Sequence, residues 1–306
     1  MASRPHGRSS HATSVIINGV DGADAAGQVL GEAGVPFLSS QSSYESLKTQ
    51  STVFTVTSPV EDHARGLVNF MVDRLGQRSK VCFFVTDTNL WRSAVIPSLK
   101  DQAKKRGVEV PVIAETQYTQ TSFVAQLKQM QDSGCTGVGM FTVLESVGIV
   151  RDAKSINYKP VFSGAEWTFD VLVQGEYGAA GSFYGMKVLR LIGTADEPGF
   201  DDYFRDSKKY TPDDIALPDA AVHYAIAQLA VEGMKRAGPR LTRNTFVEGL
   251  LSFRKFSTKG ILDDTTYTRD DRAGTHTVYT AECCATAQDG TTRWKKLDGW
   301  RRWDGF

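Results

Sequence analysis

Residues 137–167 read GVGMFTVLESVGIVRDAKSINYKPVFSGAEW, and they decide the fold class. Gly137 to Thr142 reads as a strand, Val147 to Ile156 carries helical spacing, and Lys159 to Ser163 is a second strand. Strand, helix and strand in that order form a right-handed unit with parallel strands. The second strand runs into Gly164-Ala165-Glu166-Trp167, which sets one carboxylate and one indole at its carboxyl end. In open α/β sheets small ligands bind in the crevice beyond the carboxyl ends of the strands. A carboxylate there neutralises a ligand cation, and the neighbouring Trp covers an apolar part. No nucleophile, base or metal cage reads nearby. The site is a grip, not a reactor.

The same alternation extends outward on both sides. Upstream, His63 to Leu75 is helical through Leu67, Phe70, Met71 and Leu75, and Lys80 to Thr86 is a buried strand. Ala94 to Arg106 and Phe123 to Ser133 read as helices around a strand at Val108 to Ala114. Nearer the start, Ser14 to Ile17 is a strand, Gly19 to Gly22 a turn, Ala23 to Ala33 a helix, and Gly34 to Leu38 a strand. That strand runs into the hydroxyl cluster Ser39 to Ser43, and residues 1–11 read as a disordered leader. Downstream come helices at Phe200 to Tyr210, Ala220 to Ala237 and Arg243 to Phe253, the second stopping at Gly238-Pro239. From Ile261 the pattern is strand-like, with a turn at Asp289-Gly290. Helices of 10 to 15 residues between strands define an α/β fold with parallel open sheets.

Composition narrows the function. Lys and Arg total 35 and Asp and Glu total 35, so no net charge favours nucleic acid or an anionic membrane. The basic, Trp-interleaved stretch Arg293 to Trp303 alternates as a closing strand pair with solvated charges would. No run approaches the roughly 20 apolar residues that cross a bilayer. Met1 to His11 lacks the apolar core of a secretory signal. The five histidines are scattered, no G-x-S-x-G elbow occurs, and Gly19-Val20-Asp21-Gly22 lacks the dinucleotide order. No cofactor or metal is expected. Cys82 reads as a small core hydrophobe, and Cys135 has Cys283 or Cys284 as candidate disulfide partners.

Several stretches together are similar to one family. Ala33 to Ser39, Phe54-Thr55-Val56, Val81 to Asp87 with Trp91, Arg151 to Lys154 with Pro160 to Gly164, and His223 to Ala225 with Lys235 to Gly238 carry the likeness. From about residue 13 onward the chain closely resembles the leucine/isoleucine/valine-binding proteins, the substrate-binding subunits of branched-chain amino-acid ABC transporters. The resemblance implies a type I periplasmic-binding fold, with two α/β lobes closing by hinge motion over a ligand. It places crossovers near Thr55 to Thr57, Met186 to Val188 and Gly274 to Thr277. One lobe then takes residues 12–56 and 188–275, and the other takes 57–187 and 276–306. The family has two further strands, two helices and a leader peptide ahead of Ser14 to Ile17, so the first lobe is expected to be incomplete.

By position, Glu166 matches the family acid that receives a ligand ammonium, with Trp167 beside it, and Trp91 matches the aromatic that covers the ligand. Ser42 and Ser43 match residues facing the ligand's main-chain groups. Ser42 and Glu45 also have capping-box spacing, so a helix-capping role competes there. Asp21 falls near the family's carboxylate-holding serine, where it would repel a ligand carboxylate or serve as a helix cap. Arg92, following Trp91, offers an alternative anion contact, and Tyr224 is expected in the packing between lobes. The function implied is solute binding for an ABC permease, extracytoplasmic by family and cytoplasmic if the start is as written. The alternatives are a cytoplasmic ligand sensor of the same fold, or a non-functional remnant.

Overall fold

The computed structural model describes residues 15–17, 22–165, 183–187, 198–213, 220–286 and 292–306. Strands β1 (Val15–Ile17), β2 (Phe37–Ser39) and β3 (Val53–Thr55) lie side by side in parallel, linked by helices α1 (Ala23–Glu32) and α2 (Tyr44–Thr49). Helix α3 (Val60–Asp73) follows, then β4 (Val81–Thr86), α4 (Ile96–Lys105), β5 (Ile113–Thr116), α5 (Val124–Asp132), β6 (Gly137–Phe141), α6 (Glu145–Ser155) and β7 (Val161–Ala165). Strand β8 (Phe183–Lys187) is followed by α7 (Pro198–Tyr210), α8 (Ala221–Ala237), α9 (Arg243–Leu251), β9 (Thr277–Thr286) and β10 (Thr292–Arg302).

The second sheet has seven strands in the order β10-β9-β8-β7-β6-β4-β5. Strands β4 to β8 are parallel, and β9 and β10 add antiparallel at one side. All six residues of β4 are buried, as expected of a strand covered by helices on both faces. One face packs Phe84, Leu127, Met140 and Ile149; the other packs Leu67, Phe83, Val85, Trp91 and Phe141. The three-stranded sheet has its own cores, with Leu38, Phe54 and Val56 against α7 to α9 and Phe37, Leu47 and Val53 on the opposite side.

Among the described residues the expected helices and strands are present, with edges moved for identifiable reasons; the leader at residues 1–11 and Gly19 to Asp21 of the expected turn lie outside the described residues. Helix α3 starts at Val60, with Pro59 at its N-cap position in extended backbone, and Glu61 and Asp62 fill its positively polarised first turn. The strand expected at Val108 to Ala114 forms at Ile113–Thr116, since Pro111 cannot donate to a ladder. The tail is a strand pair, with Trp294 buried. The turn at Asp289-Gly290 lies outside the described residues. The cysteine reading needs correcting: Cys82 is bonded to Cys135 and is not a free core thiol. Parallel pairing of β4 with β6 brings their Cα atoms to 5.9 Å, within disulfide reach.

The segments around Thr55 and Gly274, where the first and third crossovers are expected, touch. Thr55 N–H donates to Arg272 O at 3.0 Å and Gly274 N–H to Thr55 O at 2.7 Å. A Cβ on Gly274 would meet Val56 O at 2.6 Å, so only glycine lets these two segments run side by side.

Candidate ligand-binding site

The carboxyl ends of the parallel strands carry hydroxyls. Strands β2, β3, β4 and β5 end in Ser39, Thr55, Thr86 and Thr116, and β6 is followed by Thr142; all five are fully buried. Burying a hydroxyl without a partner is costly, so the partner of each is the informative fact.

For Thr86 and Thr116, on the seven-stranded sheet, the partner is Glu145. Its Oε1 accepts from Thr86 Oγ1 at 2.7 Å and from Thr116 Oγ1 at 3.2 Å, and Oε2 accepts from Val143 N–H at 2.9 Å. Glu145 sits in the first turn of α6, where the helix dipole favours a carboxylate. One buried acid thus joins the ends of three neighbouring strands.

On the three-stranded sheet, the loop from Ser39 to Ser43 is fully or almost fully buried and tied to the first crossover. Val56 N–H donates to Ser39 O at 2.9 Å, Thr57 Oγ1 to Ser40 O at 2.6 Å, and Val60 N–H to Ser42 O at 3.1 Å. Ser43 is the N-cap of α2: its Oγ accepts from Ser46 N–H at 3.1 Å and donates to the Asp24 carboxylate. The cap expected at Ser42 therefore lies one residue later, and the Ser43 hydroxyl is fully engaged. Ser42 differs. It is 0 % exposed and its Oγ meets no protein partner.

Trp91 lies in a π-helical turn, Trp91–Val95, immediately before α4. Thr88 Oγ1 accepts from its backbone N–H at 3.1 Å. The indole is fully buried, edge-on to Phe141 with ring centres 5.9 Å apart. Its Nε1, like Ser42 Oγ, has no protein partner. Arg92 is no free anion contact, because Asp87 and Glu115 both pair with it. Tyr224 packs on α7, its ring against Tyr203 and its hydroxyl donating to Asp206 at 2.6 Å. Asp21, Glu166 and Trp167 lie outside the described residues.

Two surface cavities lie elsewhere. One of about 240 Å³ is lined by Thr52, Asn244, Glu248 and Arg272, and one of about 430 Å³ by Tyr44, Lys48, Arg269 and Asp271. No predicted site residue lines either. Among the described residues no cluster of His, Cys, Asp and Glu could hold a metal ion.

The family described as periplasmic binding protein matches residues 10–290. The chain belongs to that family. Solved structures show the same fold at low identity. A branched-chain amino acid ABC transporter protein from Thermus thermophilus with bound valine is 18% identical, with a TM-score of 0.80 over 95% of this chain and 78% of that one. A fatty acid ABC transporter substrate-binding protein from Thermomonospora curvata is 16% identical, with a TM-score of 0.77 over 92% and 74%. A leucine-binding protein from Thermotoga maritima is 15% identical, with a TM-score of 0.72 over 92% and 78%. No curated protein matches the chain.

Sequence reading did not find Glu145. Its only local signal is an acid in the first turn of a helix, which ordinarily marks a solvated end. The Thr86 and Thr116 partners lie 59 and 29 residues away, so only the folded sheet reveals them.

Proposed function

We propose that the chain is the solute-binding component of an ABC-type importer. It holds an amino acid, amide or similar small polar solute between two hinged lobes and performs no catalysis. One lobe comprises residues 12–56 and 188–275, the other 57–187 and 276–306. The division is supported by the core clusters, each of which draws its residues from one side of these boundaries. Hydrogen bonds between the first and third crossovers suit a hinge.

The observation that carries the reading is that two of the buried polar atoms without a protein partner, Ser42 Oγ and Trp91 Nε1, fall at positions matched to the family's ligand contacts. Each stands at a position the family uses for ligand, one on each side of the proposed hinge. A buried polar atom without a protein partner calls for one, and a bound solute supplies it. In this reading Glu166 receives the solute's positive end and Trp91 and Trp167 cover its apolar part. Asp21 disfavours a free carboxylate nearby, which points to amides or cationic solutes ahead of simple α-amino acids. An ABC permease is the proposed partner, and an extracytoplasmic location goes with that role.

A thermal-shift panel of amino acids, amides and aromatic acids tests the proposal. A ligand at a hundredfold excess over Kd adds about 2.7 kcal/mol to stability. The expected result is at least one clear upward shift; none across the panel contradicts the proposal.

A further inference from the structure

A second cluster of buried charge sits away from the strand ends, at the hinge. Asp62, in the first turn of α3, has a fully buried side chain with three partners. Tyr44 Oη donates to its Oδ2 at 2.7 Å, His276 Nδ1 lies 3.1 Å from the same oxygen, and Arg65 reaches its Oδ1 at 3.3 Å. The other imidazole nitrogen, His276 Nε2, lies 2.8 Å from Asp271 Oδ2. The backbone N–H of Tyr44 donates to the Glu61 carboxylate at 3.0 Å, and the Arg65 guanidinium stacks over the Tyr44 and Trp303 rings.

The membership of these residues is what matters. Tyr44 and Asp271 belong with the three-stranded sheet. Asp62 belongs to α3, on the seven-stranded sheet, and His276 directly precedes β9 of that sheet. Tyr44–Asp62 and Asp271–His276 therefore both cross from one unit to the other. Both ring nitrogens of His276 face carboxylate oxygens, and only the imidazolium can donate from both. A neutral ring turns a lone pair toward one of the two acids.

We propose that Tyr44, Asp62, Asp271 and His276 form a latch across the hinge, which fixes the relative orientation of the two lobes and releases as the solution turns alkaline. The inference rests on the two-lobe reading above and adds a control that the solute site does not contain. Hydrogen bonds to Asp271 and then to Asp62 outweigh burial and push the His276 imidazole up to about 9. With the folded value above the ordinary 6.5, the latch is complete below about pH 6.5 and is lost as pH rises through about 9. Burial and the neighbouring Asp62 push the Tyr44 phenol up as well, so it keeps its proton throughout. The other charges facing the cluster are Glu61 and Arg65 on α3, Arg272 beside Asp271, and the paired Arg302 and Asp304 of the tail.

The test is a distance distribution between spin labels on Val231→Cys in α8 and Leu144→Cys beside α6, both exposed positions. No described cysteine is free to compete for label. A single narrow distance is expected at pH 7. A second population should grow about tenfold between pH 8 and pH 10, following a group that titrates near 9. His276→Gln should show that second population at pH 7 with no further change up to pH 10. Asp271→Asn should move the transition to lower pH. The pH series on the labelled, otherwise unaltered protein needs no latch variant. Gly274→Ala separates the two ideas, because its Cβ would push the first and third crossovers apart. A distribution that Gly274→Ala shifts but pH does not overturns the latch and leaves the hinge. A distribution that neither shifts overturns both.

Discussion

Both sheets end their parallel strands in buried hydroxyls, but they satisfy them differently. In the seven-stranded sheet Glu145 gathers Thr86 and Thr116, two strand-end hydroxyls that no ligand is required to satisfy. In the three-stranded sheet Asp24 occupies Ser43, while the Ser42 and Thr55 hydroxyls meet nothing. Burial and position are alike in the two regions. The hydrogen-bond accounting separates hydroxyls that have a protein partner from hydroxyls that have none.

The largest expected effect tests how independently the two regions are stabilised. The Cys82–Cys135 bridge closes a 53-residue separation wholly within the seven-stranded unit. Replacing both cysteines by Ala should cost roughly 4 kcal/mol on the chain-entropy account. Denaturant melts should show the loss in that unit, with the three-stranded unit unchanged; equal losses in both would break the distinction. Next, Glu145→Ala removes the acceptor of two hydroxyls and one backbone N–H, and should lower stability by about 3 kcal/mol. A loss below about 1 kcal/mol would mean that the strand ends are not held as described.

Acid sharpens the comparison further. His63, on α3 and almost fully buried, is held neutral, with burial pushing its imidazole down to about 3. The folded value lies below the ordinary 6.5, so stability is full above about pH 6.5 and falls as pH drops toward 3. The slope should approach 1.4 kcal/mol per pH unit within that window. His63→Leu should flatten it, as read by calorimetry from pH 7 to pH 4. The smallest effect belongs to Ser42→Ala, which breaks no protein hydrogen bond and should change stability by less than about 0.5 kcal/mol.

Much of this was legible in the sequence. The stretch from residue 137 to Ala165 contained its own strand, helix and strand, and those periodicities are local properties of the chain. Ser42 and Trp91 were marked by likeness to a family. Their burial was not, because it depends on Phe141 and on the first crossover packing against them. Glu145 and the Asp62–His276 contact could not be read at all. Their partners are 59 and 214 residues away, and neither spacing carries any periodic signal. The Cys82–Cys135 pairing could not be read for the same reason, since it depends on β4 and β6 being neighbours.

The most direct measurement is calorimetric titration of the unaltered protein and of Ser42→Ala with each solute that raises the melting temperature. The account predicts one-to-one binding to the unaltered protein, with at least tenfold weaker binding to Ser42→Ala, the loss of a single hydrogen bond of about 1.4 kcal/mol. Equal affinity in both proteins, or no saturable heat from any solute, would contradict it.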